Sequence, residues 1–444
     1  MTFKKAIITF LAMILLMSIP VFPIYASDID DHWANAQLKK WIGNGIINGY
    51  DDGTVRPDNP IDRAEFVTIV NRIFEFKRET DGGFTDVAST NWFSGDIAKA
   101  YRAGYISGYP DQTFRPKDEV TREDAAVILS RAFKLTGASS NNRASFSDSD
   151  QIQGYAKAAI ETLVENGYMK GYTDHSFKPR RAITRAEAVT IINQIVSEFY
   201  HAAGTYPPQR INGNAVINNP NVTLKDTHIE GNLYLAEGIG SGDATLDAVT
   251  VKGVTFINGG GTNSIHLHGS TLEKVIINNR DHQVRVVVSG TVNELTVDSM
   301  AKLEVQESAS IGSLTISETA ANTMISGNGS IHNVKIGADI TINDSKVKTG
   351  TTVKMSNGKV VVGNEQQVNG GGPASGSSTG NSNGSGTNPG DNGSGTTPGN
   401  GGSGTNPGDN GSGTNPGDNG GGTNPGDNGS GTNPGDNGGG TNPG

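Results

Sequence analysis

The residues best suited to chemistry are three arginines that each follow directly on a residue suited to cap a helix N-terminus: Arg63, Arg122 and Arg185. The free N–H groups and positive dipole end of a helix N-terminus favour an anion. A guanidinium adds a planar fork that matches a carboxylate. The pattern predicts three anion sites. The alternative is that each arginine only pairs with an acid of its own or the next segment, and Asp52, Asp111 and Asp174 are available for this.

These arginines lie at the same place in a seventeen-residue segment that occurs three times without a gap, at Gly49 to Glu65, Gly108 to Asp124 and Gly171 to Glu187. The copies share a Gly-Tyr pair, an aspartate, a proline and the arginine. The shared tyrosines are Tyr50, Tyr109 and Tyr172, and the shared aspartates are Asp52, Asp111 and Asp174. A repeat of this length indicates one structural module used three times.

A predicted helix lies on each side of the repeated segment. Sixteen residues before each Gly-Tyr pair stands an aromatic residue, Trp33, Trp92 or Tyr155, and apolar residues follow it at helical spacing. After the loop, Asp62 with Glu65 fits a capping box, and the third copy repeats it. Each module is therefore predicted to be a helix, a loop and a second helix.

The three modules resemble the S-layer homology (SLH) domain of bacterial cell-surface proteins. The resemblance rests on the aspartate and aromatic opening, the G-Y-x-D segment, the (V/F)-(R/K)-P turn and the T-R-A-E helix start, over roughly residues 28 to 200. It implies an all-α, pseudo-threefold group of modules that binds secondary cell-wall polysaccharide, often carrying pyruvate ketals, in the grooves between modules. Copy two departs from the pattern because Glu123 and Asp124 add acid beside Arg122.

The resemblance implies a polysaccharide-binding surface in which the arginines hold a carboxylate while aromatic residues and aspartates contact sugar. The residues assigned to it are Arg63, Arg122, Arg185, Asp52, Asp111, Asp174, Trp33, Trp92, Tyr155, Tyr50, Tyr109 and Tyr172. No catalytic residue, metal or cofactor is expected.

The composition excludes some kinds of site and partner, but the absence of cysteine says nothing about the redox compartment. The chain has 444 residues, a net charge of −10, 61 glycines and no cysteine, so it has neither disulfides nor cysteine metal sites. Residues 1–26 are predicted to be a secretory signal peptide, with Lys4 and Lys5 before a short apolar run. Without them, 33 basic and 45 acidic residues give a net charge of −12, which disfavours nucleic-acid and anionic-membrane partners.

Residues 211–363 change from helical spacing to short alternating runs rich in Val, Ile and Thr. Apolar residues recur there at intervals of 22, 20, 20, 19 and 20, namely Leu235, Ile257, Ile277, Val297, Ile316 and Ile336. A strand that recurs about every 20 residues indicates a parallel β-solenoid, here expected to be of the right-handed β-helix type, with these six residues in one inward column. An antiparallel β-sandwich is the alternative.

Solenoids also carry polysaccharide lyases and hydrolases, which need carboxylates gathered on one face. The acids of this region do not share a column of the repeat. His266 and His268 share a strand face and could hold a metal, but an outward polar face explains them more simply. The function predicted is a non-catalytic surface protein that is anchored by its modules and displays the solenoid. The alternative is a wall-anchored carbohydrate-active enzyme.

The domain plan follows from these patterns. Modules 1, 2 and 3 are placed at residues 27–87, 88–145 and 146–204, a hinge with tandem prolines at 205–210, and the solenoid at 211–363. Residues 364–444 repeat Gly, Asn, Pro and Asp with a period of nine and are predicted to be a disordered linker. The predicted location is the bacterial cell wall or surface layer, with surface-layer proteins as further partners.

The signal-peptide prediction can be checked directly. Cleavage after Ala26 would make Ser27 the mature N-terminus. N-terminal sequencing of secreted protein should therefore begin at Ser27, whereas secreted material that still begins at Met1 would contradict the assignment.

Overall fold

The computed structural model describes residues 27–137, 145–262 and 264–363, so the expected signal peptide and C-terminal linker lie outside the described residues. The described chain forms helical modules followed by a two-sheet β-solenoid of about 7 turns, which confirms the predicted fold class. Its α-helices are α1 (Asn35–Gly43), α2 (Arg63–Phe74), α3 (Ser94–Ala103), α4 (Arg122–Ala132), α5 (Lys157–Glu165) and α6 (Arg185–Ile195). Short 3-10 helices occur at Ser27–Ile29, Ser149–Gln151, Glu237–Ile239 and Glu318–Ala320.

The helix ends follow from local sequence. Asp62 caps α2 through a hydrogen bond from the Glu65 amide (2.8 Å), and both halves of the capping box are present there and at α6. At α4, Thr121 caps the Asp124 amide without the reciprocal half. The loop that follows the first helix of each module contains a glycine in the left-handed region, with φ of 70° to 82°, at Gly45, Gly104 and Gly167, where a side chain would be strained.

The three modules close into a ring through their backbones. The Ile61 amide donates to the Ile183 carbonyl (3.1 Å), Ile183 donates to Val120 (2.9 Å), and Val120 donates back to Ile61 (3.0 Å). The short bridges Pro60–Thr184, Asp62–Glu119 and Thr121–Ala182 accompany this ring. Each module thus contacts both others, which is the pseudo-threefold arrangement expected from the resemblance.

The solenoid is built from parallel strands that stack in two sheets. In chain order the strands are β1 (Val196–Tyr200), β2 (Gly204–Tyr206), β3 (Arg210–Ile211), β4 (Asn214–Ile217), β5 (Val222–Lys225), β6 (His228–Ile229), β7 (Leu233–Leu235), β8 (Asp243–Asp247), β9 (Thr250–Ile257), β10 (Ser264–His268), β11 (Thr271–Ile277), β12 (Val284–Val288), β13 (Thr291–Val297), β14 (Ala301–Val305), β15 (Ser310–Ile316), β16 (Met324–Ser326), β17 (Ser330–Ile336), β18 (Ile340–Ile342), β19 (Ser345–Val347), β20 (Thr352–Ser356) and β21 (Lys359–Gly363).

One sheet runs in the order β1-β4-β7-β9-β11-β13-β15-β17-β20-β21, and the other in the order β19-β18-β16-β14-β12-β10-β8-β5-β2. Pairing is parallel up to β17 and β18, after which β19, β20 and β21 pair antiparallel. These last strands cover the end of the stack, where the next parallel coil would otherwise pair.

The predicted inward column is confirmed. Leu235 pairs in register with Ile257, Ile257 with Ile277, Ile277 with Val297, Val297 with Ile316, and Ile316 with Ile336. All six are buried in the core between the two sheets. A second inward column lies two residues earlier in each strand, where Leu233 pairs with Thr255 and Thr255 with Val275. The buried hydroxyl of Thr255 has no hydrogen-bond partner in the described chain.

The segment expected to be a hinge at 205–210 differs from that expectation. Helix α6 leads directly into β1, which pairs with β4, so the first coil starts before residue 211. β2 then pairs with β5 in one sheet and β3 pairs with β6 in the other. Pro207 and Pro208 lie between β2 and β3, outside the paired strands. Proline is tolerated there because the position needs no backbone N–H for a ladder hydrogen bond.

The modules pack against the outward side of the early coils. Val216, Tyr234 and Phe256 belong to the same buried apolar cluster as the module core. The Tyr234 ring stacks on Phe256 (centroids 5.1 Å apart), and its hydroxyl donates to the Phe133 carbonyl at the end of α4 (2.7 Å). Modules and solenoid therefore share one core. Along the described residues, none of the helices has the length and apolarity needed to cross a membrane.

The inward column can be tested by removing one side chain. Ile277→Ala should lower the free energy of unfolding by about 2–5 kcal/mol, because Ile277 is fully buried and a cavity would remain. Chemical denaturation followed by circular dichroism measures this. Asn293→Ala on the exposed side of β13 is the control and should change stability by less than about 0.5 kcal/mol. Equal effects of both substitutions would contradict the column.

Candidate functional site: the grooves between modules

The three arginines lie between modules and are buried, with exposed fractions of 4% to 7%. The Arg185 Nε donates to the Val55 carbonyl and its Nη2 to the Asn48 carbonyl, both at 2.9 Å. Arg122 contacts Phe177 and Lys170 in the same way at 2.9 Å, and the Arg63 Nε donates to Phe114 (3.0 Å). Each guanidinium therefore reaches from its own helix N-terminus into the loop of the next module and joins the two.

A carboxylate of the neighbouring module also faces two of these guanidinium groups. Arg185 Nη1 lies 3.4 Å from Glu65 Oε1, and Arg63 Nη1 lies 3.6 Å from Asp124 Oδ2. Burial lowers the pKa of Arg122. The acids that pair with Arg185 and Arg63 are thus those at the start of the next module's second helix, and not Asp52 or Asp111. This geometry corresponds to the alternative in which arginines pair with acids.

The repeated tyrosines are held between two cations. Tyr50 lies under Arg185 (4.7 Å from the guanidinium carbon to the ring centre) and Arg56 (4.1 Å), and its hydroxyl donates to Glu65 (2.9 Å). Tyr109 is placed likewise by Arg63 and Arg115, and Tyr172 by Arg122 and Lys178. The cation–π contacts fix each ring against the buried arginine.

The repeated aspartates organise their own loops. Asp52 accepts from the Thr54 amide (3.0 Å) and hydroxyl (2.6 Å) and pairs with Arg56 (2.7 Å). Hydrogen bonds from Thr113 and Arg115 lower the pKa of Asp111 to about 2. Hydrogen bonds from Ser176 do the same for Asp174, to about 2. The described linings of the two grooves below do not include these aspartates.

A second set of aspartates, which sequence analysis did not single out, holds the other side of each loop. Asp28 accepts from the Arg56 amide (2.7 Å) and from Val55. Asp86 and Asp148 do the same in modules 2 and 3, at 2.7–2.8 Å. Each restrains a non-glycine residue with positive φ, namely Arg56 (52°), Arg115 (57°) and Lys178 (56°). Strained backbone of this kind often marks functional loops.

Groove 1–2, between modules 1 and 2, brings three of the predicted residues together. Tyr50 and Arg185 lie on one side and Trp92 of module 2 on the other, around a volume of about 540 Å³. Trp92 is 61% exposed. The Lys117 ammonium lies 5.5 Å from its ring centre and 3.1 Å from Asp62. Glu65, Arg72, Asp51, Asn48 and Thr68 are further polar residues of the lining.

Groove 3–1, between modules 3 and 1, repeats this plan with fewer charges. Trp33 of module 1, 62% exposed, faces Arg122, Lys170 and Glu187 around about 210 Å³. Sequence reasoning missed Lys117, Arg72 and Lys170 as lining residues. The copies carry Asp58, Lys117 and Arg180 in one column, so no repeated residue type marks that position.

The boundary of modules 2 and 3 is different. The Tyr155 hydroxyl donates to Asp124 (2.9 Å), so the opening aromatic is tied to the acid that faces Arg63. Glu123, buried at 4% exposure, accepts from the Gln153 amide (3.0 Å). Burial and the neighbouring Asp124 raise the pKa of Tyr155. The extra acids of copy two are thus used in contacts between these modules.

On the solenoid, His266 and His268 share an outward face, as predicted from their spacing. His268 Nδ1 lies 2.7 Å from Asp247 Oδ1 on the adjacent strand, and both are well exposed. Within residues 27–137, 145–262 and 264–363, no group of three or more metal-ligating side chains is found.

Comparison with known proteins identifies the modules. Residues 27–67, 83–126 and 145–189 match the family model of the S-layer homology domain. The chain therefore carries three tandem S-layer homology domains, as the sequence resemblance predicted, and these indicate a location at the cell wall or surface layer.

Two curated relatives match beyond the modules. The Surface-layer 125 kDa protein of Lysinibacillus sphaericus is 25% identical over 72% of this chain and 26% of its own length. The S-layer protein sap of Bacillus anthracis is 23% identical over 74% of this chain and 41% of its own. The amylopullulanase of Thermoanaerobacterium thermosulfurigenes is 34% identical over 37% of this chain, in the module part only. The chain spans only 9% of that enzyme and less than half of the other two.

The joining role of the arginines can be tested at Arg122. Arg122→Ala leaves two carbonyl groups, those of Phe177 and Lys170, without their donor, at about 1–3 kcal/mol for each that stays dry. Thermal and chemical unfolding should show this loss. Arg180→Ala, on the exposed side of the same loop, is the matched control and should unfold like the parent. If both variants unfold like the parent, the buried contacts do not hold the modules together.

The loop aspartates predict an acid response. Their folded-state pKa values lie below the ordinary 3.8, so the stability they contribute is complete above about pH 4 and is lost as the pH falls toward 2. The triple variant Asp52→Asn, Asp111→Asn, Asp174→Asn should therefore differ in melting temperature from the parent by a constant amount above pH 4, and the difference should shrink toward pH 2. A difference that does not change with pH would contradict this.

Proposed function

We propose that the three modules anchor the protein non-covalently to an anionic secondary cell-wall polysaccharide, including polymers that carry pyruvate ketals. The observation that carries this proposal is the pairing, in two grooves, of an exposed tryptophan from one module with a buried arginine from another. Cell-surface anchoring is supported by the three S-layer homology domains and the surface-layer relatives. The curated relatives also include a protein named cellulosome-anchoring protein.

The chemistry of groove 1–2 suits an acidic sugar. The exposed indole face of Trp92 offers an apolar platform for a sugar ring. Lys117, whose ammonium lies against that ring, supplies positive charge at the rim. The lining of this groove contains three cations, Lys117, Arg72 and Arg185, and two acids, Glu65 and Asp51. Lys117 also faces Asp62 and Arg185 faces Glu65, so a carboxylate on the sugar would share these two cations with protein acids, whereas Arg72 forms no ion pair among the described residues.

The twelve residues assigned from the sequence take different parts in this proposal. Trp33 and Trp92 are the sugar platforms. Arg122 and Arg185 line the grooves but are mostly engaged with carbonyl groups, so we assign them the positioning of the tyrosines and acids as well as a contact with the ligand's carboxylate. Tyr155 and Arg63, at the boundary of modules 2 and 3, contribute less, because neither lines groove 1–2 or groove 3–1 and the Tyr155 hydroxyl is tied to Asp124, the acid that faces Arg63. The aspartates shape the loops.

We further propose that the solenoid is a non-catalytic display or spacer element. The relatives that match beyond the modules are surface-layer proteins, whereas the enzyme-named relatives match the module part only. A wall-anchored carbohydrate-active enzyme is the competing function. Incubating the full chain with isolated wall polysaccharide and measuring new reducing or unsaturated ends distinguishes the two, and release of such ends would exclude the display role.

Anchoring can be tested with the tryptophans because their exposure makes the substitution compatible with folding. Trp92→Ala should weaken binding to isolated cell walls about tenfold, which corresponds to ~1.4 kcal/mol. Since several grooves act together, Trp33→Ala with Trp92→Ala should lose more than either alone. Co-sedimentation with native walls and with walls stripped of pyruvate measures this.

Met300→Ala is the matched control, since Met300 is an apolar side chain of the solenoid with 42% exposure, away from the grooves. It should bind like the parent. A folded Trp33→Ala, Trp92→Ala variant that binds native walls as well as the parent would refute the groove assignment. If the parent binds stripped walls as well as native walls, the pyruvate ketal is not part of the ligand, but the proposal that the modules bind the polysaccharide stands.

A further inference from the structure

A third concave site lies where the modules pack against the solenoid, away from both grooves. It has a volume of about 130 Å³ between the ends of α2 and α4, helix α3, and the outward side of β7, β9 and the turn after β11. We call it the basic cleft, because six of its lining side chains are cations: Arg78, Lys99, Arg102, Arg131, Lys134 and Arg280. Only two lining side chains, Glu237 and Asp281, are acids.

The acids do not neutralise this charge. Asp281 is taken by Arg78, whose Nε lies 2.6 Å from Asp281 Oδ1 while its Nη2 donates to the Asp281 carbonyl (2.8 Å). Glu237 accepts from the Lys77 amide (3.3 Å). Burial raises the pKa of Glu237, which weakens its tendency to carry charge.

Four cations of the cleft have no acid partner among the described residues, and one of them, Arg280, donates from its Nε to Asn278 Oδ1 (3.2 Å). Lys99 lies 3.8 Å from Asp96 and 4.0 Å from Glu79. In the part of the chain that the structure describes, Arg102, Arg131 and Lys134 form no ion pair. Lys134 lies 5.2 Å over the Phe256 ring. Partial burial, followed by the charge of Arg280, lowers the pKa of Lys134, while Asp298 and Glu237 act in the opposite direction, so Lys134 has a like charge near it as well as acids.

A cleft lined by six cations is unexpected in a chain with a net charge of −10, because like charges near one another destabilise the folded state unless an anion lies between them. A phosphate group carries about −1.5 to −2 charges and three strong acceptor oxygens near neutral pH, which matches three free cations better than one carboxylate would. The volume has room for a phosphate with a few waters at about 30 Å³ each, and the exposed edge at Arg131 leaves a way out for a substituent.

We propose that the basic cleft binds a phosphate group, held by Arg102, Arg131 and Lys134 and placed so that it bridges the modules and the solenoid. The phosphate is either free inorganic phosphate or a phosphate ester on a sugar of the envelope. This site is separate from the grooves, and the anchoring function does not depend on it.

Isothermal titration calorimetry of the full chain tests the proposal with inorganic phosphate, glucose 1-phosphate and, as a neutral control, glucose. At least one phosphate probe should bind at one site per chain, and added salt should weaken binding. Tighter binding of glucose 1-phosphate than of inorganic phosphate indicates the ester, and the reverse order indicates the free ion. The double variant Arg102→Gln, Lys134→Gln should bind at least tenfold more weakly.

Two further variants make the result specific. Arg131→Gln, a single change at the exposed rim, should weaken phosphate binding with folding intact, so the test does not depend on the double variant being stable. Lys117→Gln, which removes a cation of groove 1–2, should bind phosphate like the parent. The proposal is overturned if neither phosphate probe binds, if glucose binds equally well, if the folded cleft variants bind like the parent, or if Lys117→Gln alone abolishes binding.

Discussion

The ring of backbone hydrogen bonds among Ile61, Val120 and Ile183 is the constraint on which the module region depends. It brings the start of each second helix against the loop of the next module, where the buried arginines reach their carbonyl acceptors. A buried guanidinium without such partners costs several kcal/mol. A module on its own would leave its arginine and its neighbour's carbonyl groups unpaired, so the three modules should fold as a unit, and the grooves exist only in that unit.

Local rules made part of this structure predictable. The capping boxes at Asp62 and Thr184 appear in the structure as they read in the sequence, because they involve residues three apart. The inward column of the solenoid was predictable for a different reason. Parallel coils stack in register, so residues separated by one coil length in the sequence pair with each other in the sheet. Ile277, for example, pairs with Ile257 in the preceding coil and with Val297 in the following one.

Contacts between distant segments were not predictable from local pattern. A cation at a helix N-terminus can face a ligand or a neighbouring module. The local sequence around Arg185 is compatible with either contact and does not distinguish them. The shared role of Asp28, Asp86 and Asp148 was not predictable from the repeat. They stand 21, 22 and 23 residues before the repeated glycine, so an ungapped alignment of the three copies does not superpose them. Only the bonds to the loop amides reveal that they share one role.

The outward column of the solenoid, which stands one residue before the inward column, changes character along the coils. It runs Tyr234, Phe256 and Ile276, and then Thr296, Thr315 and Lys335. The first three belong to or pack against the module core, whereas the last three lie beyond it.

The position of that change has a mechanical consequence. The early coils are bound on their outward side, α6 continues into β1 without a loop, and the tandem prolines turn a corner between two paired strands. Pivoting the solenoid against the modules would expose Tyr234 and Phe256 and leave the Tyr234 hydroxyl without its acceptor, and burial of two aromatic side chains alone is worth several kcal/mol. A load applied to the later coils would thus pass into the modules through this shared core, whereas the outward column of the coils after β11 is polar, with Thr296, Thr315 and Lys335.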